Sequence, residues 1–130
     1  MTWSEGPFTI HCQTNGTTAT PVRVPVTRWR KGVDVRIIKI LIQLQQKSAQ
    51  FEGRACWRFA TTDPDSPGAW SSISNWVTTN DTKACSGNVD LSADSNLAAA
   101  MWWQGGVEFQ NVSGTALETG DLTVLYSGKD

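Results

Sequence analysis

"VDVRIIKILIQLQQ", residues 33–46, alternates apolar and polar side chains in two successive phases. Val33, Val35 and Ile37 share the first phase, and Ile38, Ile40, Ile42 and Leu44 share the second. A period of two belongs to a strand with one buried face. A change of phase inside one strand predicts a β-bulge, or a strand that passes between two layers. Arg36, Lys39 and Gln43 interrupt the stretch, so it falls short of the roughly 18 to 20 apolar residues that cross a bilayer. We expect a long central strand whose Val35, Ile37, Ile40 and Ile42 join Trp57 and Phe59 in the core.

The flanking sequence repeats the strand signal. On the N-terminal side, "PVRVPVTRW" (21–29) sets Val22, Val24 and Val26 against Arg23, Pro25 and Thr27. Its prolines remove ladder donors and place it at a sheet edge. Before it, "NG" at 15–16 is a strong short hairpin signal. On the C-terminal side, "GRACWRFATT" (53–62) divides into Ala55, Trp57 and Phe59 on one face and Arg54, Cys56 and Arg58 on the other. "DPDSPG" (63–68) reads as a turn, "AWSSISNWVTT" (69–79) resumes a β-rich pattern, and "NDTKACSGN" (80–88) reads as a loop. "VEFQNVSG" (107–114) and "LTVLYSG" (122–128) are further strands, the latter with Leu122, Val124 and Tyr126 in phase. "DSNLAAAMWWQGG" (94–106) admits a short capped helix, but its aromatic residues lead straight into an alternating strand, and we read it as a strand. About eight short strands, with turns every 8 to 12 residues, predict an all-β, antiparallel, jelly-roll-like sandwich, a single domain over 1–130.

Composition narrows the function classes. The chain has 130 residues and a net charge of −1, yet residues 1–62 sum to +6 and residues 63–130 to −7. Such asymmetry is a cue to interaction unless the two halves interleave in space. Cys12, Cys56 and Cys85 are odd in number and lack Cys-x-x-Cys spacing, which points to buried free thiols rather than zinc or a disulfide framework. "MTWSEGPFTI" has neither a basic start nor an apolar h-region, so we expect synthesis in the cytoplasm without a signal peptide.

No catalytic constellation stands out. His11 is the single histidine, and its neighbour Cys12 points to the opposite face of a strand, which suits neither a Cys–His pair nor a two-His metal site. There is no G-x-S-x-G, P-loop, G-x-G-x-x-G or calcium loop. Asp63 and Asp65 share a turn that reads better as solvated than as a Ca²⁺ site. The expectation is a protein without enzymatic activity, cofactor or metal.

Seven tryptophans carry the remaining signal. Trp102 and Trp103 are adjacent, so in a strand one enters the core and the other faces outward. Gly105 and Gly106 beyond them allow a close approach by a neighbouring backbone. Trp70 and Trp76 are six apart, an even spacing that puts both on one face of an extended strand. Trp29 lies between Arg28 and Arg30, beside Lys31, and should be exposed. These residues are the candidate binding set, since exposed tryptophans serve both protein interfaces and sugar stacking. The leading expectation is a structural assembly subunit that packs on copies of itself or on another structural protein, as virion proteins do. The second is a carbohydrate-binding module or lectin. The acidic second half and a pI of about 5.7 argue against nucleic acid as the partner.

Overall fold

A computed structural model describes residues 2–14, 21–31, 34–47, 51–61, 64–72, 76, 84–90, 102–111 and 117–129. Among them run nine strands: β1 (Thr2–Gln13), β2 (Val22–Pro25), β3 (Arg30–Lys31), β4 (Asp34–Gln46), β5 (Phe51–Ala60), β6 (Ser71–Ser72), β7 (Ala84–Asp90), β8 (Trp102–Asn111) and β9 (Thr119–Lys129). They form two antiparallel sheets, ordered β1-β9-β4-β7 and β2-β8-β5-β6, with β3 also paired to β8. Since β5 occupies the other side of β8 along its whole length, β2 and β3 share one edge position. Eight strand positions in two four-stranded sheets, with the chain crossing between sheets at almost every connection, is the jelly-roll arrangement. No helix among the described residues is long and apolar enough to cross a membrane.

β4 lies between β9 and β7, the central position its sequence predicts. Its register against β9 shifts between Asp34 and Lys39, where the apolar phase changes. A bulge there lets Ile40, Ile42 and Leu44 all face the core. The side chains of Val35 and Ile37 lie outside the described residues. β9 contributes Leu122, Val124 and Tyr126, each fully buried. From the opposing sheet come Phe51, Ala55, Trp57 and Phe59 of β5 and Trp103, Val107 and Phe109 of β8. Burying each large apolar side chain stabilises the sandwich by roughly 1.5 to 3 kcal/mol. β2 is an edge strand, as its prolines require, with Val22 and Val24 packed against the core and Arg23 and Pro25 exposed.

Two expectations are corrected. The "NG" at 15–16 lies outside the described residues, but the strands on either side of it do not form a hairpin. β1 pairs with β9 and β2 with β8, in different sheets. Turn chemistry marks where a chain reverses, not which strand it meets. "NDTKACSGN" (80–88), read as a loop, enters strand β7 at Ala84 and pairs with β4, whereas the strand reading of 94–106 holds over Trp102–Gly106, which β8 joins to the strand read from Val107. Residues 94–101, where a helix competed with a strand, lie outside the described residues.

The uneven charge of the two halves is largely an effect of reading the chain in one dimension. Arg23 and Arg54 of the first half pair with Glu108 of the second, at 2.8 Å each. His11 and Lys47 meet Asp121, at 2.8 and 3.8 Å. Jelly-roll winding brings early and late strands side by side, so the halves interleave.

Candidate functional site

β8 and β5 pair in register from Phe51↔Asn111 to Ala60↔Trp102, so the two faces of this sheet can be read off directly. Trp103 points inward and is buried, its ring centroid 5.6 Å from that of Trp3 and 5.4 Å from that of Tyr126. Trp102 points outward and is half-buried, with Lys31 Nζ 5.2 Å from its ring centroid. The two glycines that follow serve one face each. A side chain on Gly105 would meet the Tyr126 ring, and one on Gly106 would meet the Trp70 ring and the Val24 carbonyl. The approach expected of a neighbouring backbone is made at Gly106 by the Val24 carbonyl, and at Gly105 an aromatic ring takes its place. The single proton of the Tyr126 hydroxyl is shared between the carbonyls of Gly106 and Cys56.

The outward row of this sheet is Arg54, Cys56 and Arg58 on β5 against Glu108, Gly106 and Gln104 on β8. The arginines are half-buried and the positions around them are closed to water. Cys56 and Glu108 are 0% exposed, and Gln104 is 8% exposed. The cover is tryptophan. Trp76 lies with its centroid 4.0 Å from the Arg54 guanidinium carbon. Trp70 and Trp29 both stack on Arg58, at 4.5 and 5.3 Å. Trp29 arrives from the β3 edge and Trp70 from the β6 edge, so opposite margins of the sheet meet over one guanidinium. Trp29, Trp70 and Trp76 are all half-buried, and Trp29 is less open than its charged surroundings suggest.

Glu108 organises one end of this face. Its carboxylate accepts hydrogen bonds from Arg23 Nε (2.8 Å), Arg54 Nε (3.1 Å), Arg54 Nη2 (2.8 Å) and Ser72 Oγ (2.8 Å). Burial alone would raise its pKa, but the bonds from Ser72, Arg54 and Arg23 outweigh that and hold it below the ordinary carboxylate value. The sequence reading did not single out Glu108. The available signal was an acid on the outward phase of β8, opposite an arginine on the outward phase of β5.

Arg58 sits at the other end and is satisfied differently. Its Nε donates to Gln104 Oε1 at 2.9 Å, and the Gln104 amide donates onward to the Thr27 carbonyl. Among the described residues no carboxylate pairs with Arg58. Burial lowers its pKa from the ordinary arginine value, which leaves it a cation at neutral pH.

Arg28 and Arg30 divide between two environments. Both donate to Glu5 Oε1, at 2.9 and 2.7 Å. Arg28 remains 77% exposed, whereas Arg30 is 14% exposed and stacks on Trp3 at 4.4 Å. With Trp29 and Lys31 they line an open cleft of about 240 Å³. His11 is exposed and holds Asp121, while Cys12 turns inward, so adjacent strand positions separate the two. Cys12 and Cys56 are buried free thiols. Burial first, and the charge of Asp121 second, push Cys12 up to about 12, and burial pushes Cys56 up as well. Neither is an activated nucleophile. Cys85 belongs to β7, whose side chains are not described. No protein-family model, curated protein or solved structure matches this chain.

Proposed function

We propose that this chain is a non-enzymatic structural subunit that packs on copies of itself or on another shell protein, as virion capsid, decoration and tail proteins do. It would be made in the cytoplasm and carried in a particle. One observation supports this reading most: a face of half-buried tryptophans stacked on arginines, on the outside of a jelly roll. Tryptophan and arginine are the side chains enriched where protein interfaces concentrate their binding energy. Jelly rolls occur in both capsid proteins and lectins, so the fold alone does not choose between assembly and sugar binding. The state of the rings favours assembly. Trp29, Trp70 and Trp76 each carry a guanidinium on the ring, whereas a sugar platform needs faces free for pyranose rings.

Trp102 gives the test. A hot-spot tryptophan costs about 2 kcal/mol or more on truncation, so Trp102→Ala should weaken association at least tenfold. Light scattering at two salt concentrations reads the mass. An unchanged mass together with lost glycan binding would replace this function with the carbohydrate-binding one.

A further inference from the structure

We infer that the cleft lined by Arg28, Trp29, Arg30 and Lys31 is a binding site for a phosphate dianion, either free phosphate or a phosphate monoester. The inference goes beyond the assembly reading and stands without it.

Edge strands of both sheets build the site. β3 sets Arg30 and Lys31 beside Trp103 and Trp102 of β8, and β1 of the other sheet supplies Glu5. Arg28 Nε and Arg30 Nη1 converge on a single oxygen, Glu5 Oε1, at 2.9 and 2.7 Å. One carboxylate shared by two guanidiniums leaves a positive charge over, and Lys31 brings a second. Arg28 is 77% exposed and Lys31 is exposed as well, so both present their charge to solvent. Arg30 is 14% exposed, so its charge acts through a drier medium and attracts an anion more strongly than in bulk water.

The size and spread of this surplus choose the ligand. A carboxylate brings one charge and two oxygens, and Glu5 already fills that place. A phosphate monoester brings close to two charges at pH 7 and three acceptor oxygens. That suits a surplus carried by three side chains, two of them guanidiniums that grip phosphate through paired donors and one an ammonium that acts as a point charge. A neutral sugar would make no use of the surplus. A nucleic-acid strand carries one charge per phosphate and calls for a longer basic track, which sits poorly with a pI of about 5.7.

Isothermal titration calorimetry of the full chain tests the site, with inorganic phosphate and thymidine 5′-monophosphate as probes at fixed ionic strength. Melting temperature is recorded for every variant. Arg28→Gln combined with Lys31→Gln should weaken binding by roughly tenfold or more, the effect of losing a hydrogen bond to a charged group, while the melting temperature stays near wild type. Glu5→Gln keeps the shape, removes the competing charge and should tighten binding severalfold. Lys47→Gln also removes a cation, but beside Asp121 of the other sheet, and should change nothing. Affinity for the monoester should fall as pH drops through about 6, where the dianion takes a proton. Equal binding of the two probes would show that the phosphate group alone is recognised, and preference for the nucleotide would name the monoester as its source. No heat from either probe overturns the site, as does a loss in Lys47→Gln equal to that in the double variant. Oligo(dT) that binds more tightly than the monoester, and is released by the double variant, would give the cleft to nucleic acid instead. A monomeric chain that still binds phosphate would remove the assembly reading and keep this site.

Discussion

Arg54 and Arg58 occupy equivalent outward positions on β5, one helical-looking interval of four apart in sequence yet aligned along a single strand face. Both lie under tryptophan. Arg54 is closed, since its charge is met by Glu108, which Arg23 and Ser72 also serve. Arg58 is the more open, since among the described residues its partners are a neutral amide and two rings. The comparison teaches that the same residue under the same kind of cover can be held by an opposite charge or by a neutral amide. What decides is whether the opposing position on β8 carries an acid or an amide. Glu108 stands opposite Arg54, and Gln104 opposite Arg58.

The largest expected effect lies on the other face of the same sheet and sets the scale. Trp103→Ala should lower unfolding free energy by about 3 to 5 kcal/mol in a denaturant titration, because it empties a dry site between Trp3 and Tyr126. A loss as small as that of Trp102→Ala would erase the distinction between the two faces.

The closed arginine site should come next. Glu108→Gln, which removes the carboxylate that Arg23 and Arg54 share, should cost about 3 kcal/mol, toward the lower end for a broken buried pair because both arginines keep some contact with water. It also predicts a pH signature. The folded carboxyl titrates below its ordinary value of 4.5, so its contribution is complete above that value and is lost as pH falls through the folded pKa. Wild type should therefore weaken below about pH 4.5 more steeply than Glu108→Gln. Parallel slopes would show that Glu108 is not what makes the closed site closed.

The smallest effect belongs to His11→Gln. The His11–Asp121 pair is at the surface, and exposed pairs contribute about 0 to 1 kcal/mol. Thermal melting should move little and association should not change. A drop in association would mean that a surface on the β1-β9 sheet takes part in it.

The strands were legible wherever burial imposes a period of two. The phase change near Ile37 and Ile38 announced the register shift in β4, and the prolines of β2 announced an edge. Pairing was less legible, because the partner of each strand is set by packing between sheets and not by the nearest turn. The outward tryptophans could be named as candidates, and Arg54 and Arg58 placed together on one face, from the alternation in "GRACWRF" alone. What that alternation does not contain is the identity of the facing residue. Register between β5 and β8 is a long-range property, and it alone separates the closed arginine from the open one.

β9 lies between β1 and β4. The first and fourth strands are thus held apart until the ninth is available, and no shorter length of chain can complete that sheet. During synthesis the growing polypeptide must carry two unfilled edges, each with free backbone donors and acceptors. Closure is then a late, long-range event of the kind that folds slowly and leaves time for encounters with other chains. Under the assembly proposed above, the order of events would matter: insertion of β9 would have to precede assembly, or the copies would meet through the wrong edges.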